Sequence, residues 1–412
     1  MIGDNMNSLR ASSSLNNTSN HATYIMSSSF RVLDNHSLYY AYTHYESINI
    51  VLYRKREDET QNSYFDAFVK DLMKTLEQFG DVSIIYDYKD IKFNNDVILD
   101  KAYLQEEKEL EAYIKSSNKY STISVESNVV VPVVIASNKE EYSARTIRPK
   151  IHKHLFDFID PVLEDFEHSS KEQEALNHVI DFIKTKLPYY DLKNHPEHTY
   201  TSDISGYLKY GIISPIRILI LLDKSKHFNK ASFIEELVVR RELAYNFVYY
   251  NNQYYDFNHM TYEWAYLTMK VHQLDHKEYL YSLADYINFN THDIYFNAAM
   301  KEMVHLGKMH GYMRMYWCKK IIEWSPNFKY AYDTAIALNN RYFLDGNSPN
   351  GYAGVAWCFG KHDRAWNERE IFGKLRYMNA NGLKRKFKIE QYIERIESEV
   401  KAYESFKAKN IN

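Results

Sequence analysis

The chain has little of what marks a stapled, fibrous or membrane-spanning protein. Two cysteines, Cys318 and Cys358, occur in 412 residues. That is too few for a disulfide framework and fits a reducing, intracellular compartment. Twelve glycines and eight prolines exclude collagen-like and low-complexity structure. The longest strongly apolar run, Tyr210 to Leu222, carries Arg217 and is too short to cross a bilayer, so no membrane association is expected. The polar start MIGDNMNSLRASSSLNNTSNHA has no apolar core. It is no secretory signal, and residues 1–28 read as a disordered tail. A large net charge is also missing. The formal value is −3, so any surface for an acidic partner must be a local patch. No G-x-G-x-x-G occurs, which excludes the dinucleotide-binding fingerprint, and no metal site is expected.

What is present is a chain long enough for two to three domains, with 45% hydrophobic residues to fill their cores. Its 38 tyrosines read as compositional bias. From residue 29 the pattern alternates. Ile48–Tyr53 is a β-branched run. Tyr64–Phe79 carries Phe65, Phe68, Leu72 and Leu76 on one helical face. Val82–Tyr86 and Val97–Leu99 read as strands, Leu104–Lys115 as a charged helix, and Ser121–Val125 and Val129–Ile135 as further strands. Strand–helix alternation implies right-handed βαβ units and a parallel sheet. Residues 141–199 read as a connecting segment with one or two helices, including the basic RTIRPKIHKH. From residue 200 to 412 helical spacing dominates, in Phe233–Tyr250, Leu283 onward, Asn297–Trp324 and Ala331–Tyr342. The expected architecture is an α/β Rossmann-like N-terminal domain (29–140) followed by a larger all-α domain (200–412).

The densest stretch is Gly307–Phe387. It reads GKMHGYMRMYWCKKIIEW, LNNRYFLDGNSPNGYAGVAW and KHDRAWNEREIFGKLRYMNANGLKRKF, and holds four of the five tryptophans: Trp317, Trp324, Trp357 and Trp366. Together with FRVLDNHSLYYA, VPVVIASNKEEYSARTIRPKIHK, TYTSDISGYLKYGIISP, EELVVRRELAYNF and HDIYFNAAMKEM, this order resembles the DNA photolyases. Within them it is similar to the class II cyclobutane pyrimidine dimer enzymes, over about Phe30 to Tyr392. The resemblance implies the photolyase/cryptochrome fold, non-covalent FAD in the helical domain, and light-driven splitting of pyrimidine dimers in duplex DNA.

Residue by residue, the resemblance implies these roles. Thr201, Ser202 and Ser205, in a T-S-x-x-S turn opening a helix, would face the FAD pyrophosphate; Asp203 is an unexpected carboxylate there. Arg314 and Asp345 would pair beside the flavin ring, with Asn339 near its N5 and Asn350 as a second amide contact. Trp317 and Trp324, seven residues apart and so on one helical face, would be the inner and outer members of an electron-feeding chain. The middle member is Phe296 here, which leaves that chain broken or rerouted, with Tyr295 as the candidate detour. Trp357 would stack on the flipped dimer, and Glu236 would hydrogen-bond a thymine carbonyl, its carboxyl kept protonated by burial. Arg240, Arg241, Arg364, Trp366, Lys384, Arg385 and Lys386 would meet DNA. Tyr245 stands where the family carries Asp. The antenna pigment is not readable, a deazaflavin being one option. A monomer, located wherever the genome is, is the default expectation. A cryptochrome-like photoreceptor is the second reading; Glu236, Trp357, the basic block and the lack of a long stretch after the helical part argue for repair.

Overall fold

The computed structural model describes residues 9–13 and 19–410. They gather into two compact units, one running to Pro188 and resuming over Ser202–Asn252, the other formed by Tyr189–Thr201 and the residues from Gln253 onward. Within the described residues no helix is long and apolar enough to cross a membrane.

The first unit is built on a six-stranded sheet. Its strands are β1 (Ala11–Ser13), β2 (His21–Met26), β3 (Ser47–Tyr53), β4 (Gly80–Ile85), β5 (Asp96–Asp100) and β6 (Thr122–Val125), in the order β1-β6-β5-β2-β3-β4. All pairs are parallel except β1 with β6. Helices α1 (His36–His44), α2 (Glu59–Leu76) and α3 (Gln105–Ser117) link the strands. The apolar face expected of α2 is buried: Phe65, Phe68, Leu72 and Leu76 are all core residues.

Two expectations need correction here. The 1–28 span is not a tail throughout: it supplies β1 and the central strand β2, whose residues Ala22–Met26 are buried between β3 and β5. Residues 1–8 and 14–18 of that span lie outside the described residues. Nor is Val129–Ile135 a strand. Pro132 cannot donate to a ladder, the Val130 and Val131 N–H groups donate to the Glu242 carboxylate at 2.5 and 3.4 Å, and the chain closes into a single helical turn at Val133–Ala136. Side chains replaced the neighbouring strand as partner.

Six further helices belong to this unit, two before residue 188 and four after residue 202: α4 (Ala144–His154), α5 (Ser170–Thr185), α6 (Ser205–Lys209), α7 (Pro215–Asp223), α8 (Lys230–Ile234) and α9 (Arg241–Tyr250), with a π-helical segment at Glu235–Arg240 between the last two. The compact units therefore do not divide at residue 200. Buried polar links explain why. Arg217 on α7 grips Asp34 through two bonds of 2.8 and 2.9 Å. Arg31, fully buried, donates to the carbonyls of Gly211 and Ser127 at 2.7 and 2.6 Å.

In a doubly wound sheet, ligands settle outside the carboxyl ends of the strands where the order reverses. Here that place is next to β2 and β5, and it is filled from within. The Asp100 carboxylate accepts the consecutive N–H groups of Ser27, Ser28 and Ser29 at 3.0, 2.9 and 2.9 Å, and the Tyr24 hydroxyl at 2.9 Å. The backbone donors that could hold a phosphate are committed to an internal carboxylate.

The second unit is helical: α10 (Glu263–Val271), α11 (Leu283–Ile287), α12 (Ile294–Leu306), α13 (Gly311–Trp324), α14 (Phe328–Tyr342), α15 (Pro349–Cys358), α16 (Ala380–Lys386) and α17 (Ile389–Asn410). Asn297–Trp324 is two helices rather than one, because Gly307 adopts φ 66 and ends α12. Asp293 caps α12 by accepting from the N–H groups of Tyr295 and Phe296, and it takes the Tyr316 hydroxyl of α13 as well. Glu302 accepts from Tyr392 at 2.7 Å and from the His310 N–H at 3.3 Å, tying α17 to α12.

Replacing Asp100 with Ala strips the partner from three largely buried N–H groups. The first unit should lose about 3 kcal/mol or more, read as an earlier urea midpoint. A loss under about 0.5 kcal/mol would contradict the role given to that carboxylate.

Candidate functional site

The expected Arg–Asp pair is formed in the second unit. Arg314 projects from the first turn of α13, and its Nη2 donates to both oxygens of Asp345 at 2.8 and 3.1 Å. Nε donates to the Met309 carbonyl at 3.3 Å, and the guanidinium lies 3.8 Å from the centre of the Phe343 ring. The two side chains are 27% and 15% exposed, so the pair sits in a half-dry wall. Arg314 Nη1 makes no bond within the described residues, leaving donors to spare for a bound anion.

Asn339, on α14, lies beside this pair in the chain path and is buried. Its Nδ2 donates to Asn340 Oδ1 at 2.9 Å. Gly351 on α15 permits the approach, since a Cβ there would stand 2.8 Å from that nitrogen. Ser348 caps α15 through the Gly351 N–H at 3.1 Å and donates to the Asp345 carbonyl at 2.7 Å. Asn350 is exposed in the first turn of α15 and takes no part in this cap. One short loop thus joins Asp345, Asn339 and the start of α15.

Trp317 and Trp324 share one face of α13, as their spacing requires, and both are buried. Trp317 donates to Met300 Sδ at 3.0 Å and meets the Phe343 ring edge-on at 6.2 Å. Phe296, one turn before Met300 on α12, has its ring 5.1 Å from that of Trp324. Tyr295, the candidate detour, donates its hydroxyl to Glu390 at 3.2 Å and has its ring under Lys384. The aromatic neighbours of Trp324 besides Phe296 are His292 at 5.1 Å and Tyr281 at 5.4 Å.

Trp357 ends α15, and sequence reasoning missed its partners. Arg376 lies 5.3 Å from the Trp357 ring and 4.9 Å from that of Trp366, bridging the two. Arg364 covers Trp366 at 4.8 Å. Lys319, fully buried on α13, donates its Nζ to the Cys358 carbonyl and so caps the helix that carries Trp357. Burial pushes the Lys319 amine below its ordinary range. Nothing in the sequence singles out Arg376 or Lys319 among 51 basic residues; their roles depend on packing.

The loop bearing Arg364, Trp366 and Arg376 is strapped to α10 and the turn after it. The Lys374 N–H donates to Thr268 Oγ1 at 2.9 Å, the Ile371 N–H to Asp275 at 2.7 Å, and His272 meets Asp275 at 2.6 Å and Glu368 at 3.0 Å. Gly373, at φ 52, leaves no room for a side chain: a Cβ would be 2.2 Å from Thr268 Oγ1. Of the basic run that follows, Arg385 and Lys386 line a hollow. Lys384 points elsewhere, over Tyr295, because consecutive helical residues are about 100° apart.

Three expected residues lie in the first unit, on or beside the π-helical segment. Such segments recur at functional sites. Glu236 is not buried: its side chain is 40% exposed, with Arg240 at 3.6 Å. The burial expected of it is not found. Arg148 on α4 holds the neighbouring Glu235 through two bonds of 2.8 and 2.7 Å. Arg240 is exposed, but Arg241 is 5% exposed, lies 4.6 Å from the Tyr245 ring and donates to its hydroxyl at 2.9 Å. Arg241 is thus no surface contact, and Tyr245 supplies the partner that an Asp would otherwise be. Ser202 and Ser205 precede and open α6, a helix of five residues without a side-chain cap. Ser202 accepts His178 on its carbonyl at 2.7 Å. Asp203 turns to Lys186 at 3.8 Å, so its charge is offset. Thr201 packs with the second unit.

No family model matches the chain. It is 40% identical over 423 residues to a protein of Methanothermobacter thermautotrophicus named deoxyribodipyrimidine photo-lyase, spanning 91% of this chain and 94% of that one. A protein of the same name from Potorous tridactylus is 39% identical over 313 residues, 66% of this chain and 58% of its own length; the chain thus spans less than two thirds of that relative. The crystal structure of a Synechocystis cryptochrome matches with a TM-score of 0.71 at 12% identity, over 92% of this chain and 89% of that one, a likeness of fold.

Glu368 and Asp275 raise the His272 pKa above its ordinary value. A raised folded pKa means the strap is at full strength below about pH 6.5 and weakens as pH rises through the higher folded value. Amide hydrogen exchange in residues 363–377 should therefore quicken with rising pH beyond the intrinsic base-catalysed rate. His272→Asn should abolish that extra dependence; an unchanged profile in the variant would refute the strap.

Proposed function

The chain belongs to the deoxyribodipyrimidine photo-lyase family, and from that membership we propose that it repairs cyclobutane pyrimidine dimers in duplex DNA, using FAD. The observation that carries this reading is the Arg314–Asp345 pair joined through one loop to Asn339 and α15. Bound there, the reduced flavin supplies a photoexcited electron to the dimer and takes it back.

The protein's own residues supply position and charge. The fixed Arg314 guanidinium, with a free Nη1, favours a negative ring edge beside it. Asn339, whose Oδ1 makes no bond within the described residues, can accept from or donate to a ring nitrogen. Asn350, exposed on the first turn of α15, is a further amide within this region. Thr201, Ser202 and Ser205 offer hydroxyls to the pyrophosphate, and the Asp203–Lys186 contact lowers the repulsion Asp203 would otherwise exert. Trp357, braced by Arg376, is a platform for an extruded base pair, and a dimer is cheap to extrude because its pairing is already weakened. Glu236 is proposed to reach a thymine carbonyl. Arg364 and Trp366 fill the gap left in the duplex, and Arg240 and the basic run of α16 meet phosphates.

A light-sensing role is the second reading, since the fold is shared with a cryptochrome. The Phe296–Trp324 contact weighs against it. Phenylalanine is far harder to oxidise than tryptophan, so refilling an oxidised flavin from Trp324 should be slow, and a sensor depends on that step.

Three measurements follow. Near-UV repair of a defined thymine-dimer duplex should fall on the order of tenfold in Glu236→Ala, one hydrogen bond of ~1.4 kcal/mol; wild-type-like repair would remove Glu236 from the mechanism. Trp357→Ala should weaken binding of that duplex in the dark by roughly 1–3 kcal/mol and leave undamaged duplex binding within twofold; equal loss on both would refute the platform. Phe296→Trp should speed photoreduction of oxidised FAD by at least tenfold in time-resolved absorption, while equal rates would show that Phe296 is no bottleneck.

A further inference from the structure

The chain's two cysteines lie far apart in sequence, yet the second unit brings them together. Cys318 sits midway along α13 and Cys358 at the last position of α15, and these helices pack on each other. Both residues are 1% exposed and both thiols are free. The Cys318 thiol donates to the Cys358 sulfur. The contact is clamped from one side: Lys319, the residue after Cys318, donates its Nζ to the Cys358 carbonyl. Buried cysteines ordinarily act as small apolar fillers. These two are set apart by their pairing, by a fully buried amine beside them, and by their place in the chain. Each directly follows a tryptophan of the site, Trp317 before Cys318 and Trp357 before Cys358. The hydrogen bond from Cys318 holds the Cys358 thiol below its ordinary range, while burial pushes the Cys318 thiol up. The shared proton therefore rests on Cys318, and Cys358 carries thiolate character, the reactive form.

With Phe296 interrupting the route from Trp324, an oxidised flavin needs another source of electrons. Two thiols in contact hold two electrons in releasable form, because giving them up is compensated by an S–S bond. Resting on the reading of the chain as a flavin-dependent repair enzyme, we infer that Cys318 and Cys358 are an internal two-electron reservoir that reduces oxidised FAD under light by way of the adjoining Trp317. Two S–H bonds break and one S–S bond forms, joining α13 to α15. Two electrons and one proton pass to the flavin, which gives the anionic reduced form that the Arg314 guanidinium favours. The second proton has a base at hand in the Lys319 amine, whose neutral form burial favours. A dithiol from solution reopens the disulfide by thiol exchange. The reservoir discharges once per reset, which suits an enzyme whose flavin recovers its electron after each repair.

The test uses the full chain carrying oxidised FAD, in anaerobic buffer without added reductant, under continuous blue light. Free thiols, counted by N-ethylmaleimide labelling in denaturant and by intact mass, should fall from two to none as the flavin absorption bleaches. Peptide mapping should then join the Cys318 peptide to the Cys358 peptide. Cys318→Ala and Cys358→Ala should each slow that bleaching on the order of tenfold or more. With flavin reduced by dithionite instead, both variants should repair the thymine-dimer duplex like wild type, which separates a lost electron source from a lost fold. Bleaching with both thiols still open to the label would overturn the reservoir. So would unchanged bleaching in both Ala variants, or an equal loss of thiols in the dark. Dithionite bypasses the cysteines, so failed repair under dithionite counts against the repair reading, whereas the thiol count tests the reservoir alone.

Discussion

The second unit is organised by a charge that must be answered where water is scarce. Arg314 stands in a half-dry wall with its guanidinium against Phe343, and an unpaired cation there would be costly. Asp345 answers it, and everything that fixes Asp345 fixes the site. Ser348 bonds its carbonyl, Asn340 takes the Asn347 N–H at 2.9 Å, and the same loop launches α15. The ion pair therefore sets where Asn339 and Trp357 are carried. Phe343 extends the arrangement to Trp317, whose ring meets it edge-on.

The first unit solves a different problem with the same physics. Its sheet order places a ligand-sized crevice beside β2 and β5, yet Asp100 occupies the backbone donors there. The absence of a glycine-rich fingerprint and the presence of this carboxylate are two aspects of one design: the crevice is closed by an internal charge. Arg31, Asp34 and Arg217 extend the buried network to α7. Polar groups that are fully satisfied inside a core specify one arrangement strongly, because any slip leaves several of them unpaired.

Periodicity revealed the long elements well. The faces of α2 and the pairing-ready runs of β3, β4 and β5 follow from spacing alone, since a 3.6-residue or two-residue repeat of apolar residues has one way to bury itself. The misreadings share a cause. The strand β2 follows a polar, Asn- and Ser-rich stretch that masks it. Val129–Ile135 has β-type composition but is held by Glu242, which lies more than a hundred residues away. Arg241 reads as an exposed cation and is buried against Tyr245, whereas Glu236 was expected inside and is 40% exposed. In each case a partner distant in sequence decides the outcome.

The amino-acid sequence by itself determined the helix and strand periods, the parallel sheet and the family, because these rest on local spacing and on long ordered motifs. Only the tertiary structure decided which charges are answered and which stay open: that Arg314 meets Asp345, that Arg376 bridges Trp357 and Trp366, that Tyr295 donates to Glu390, and that Arg369, Arg385 and Lys386 surround one hollow. Charge and aromatic contacts act over a few ångströms through space. Residues tens of positions apart come within that reach only once the chain has folded.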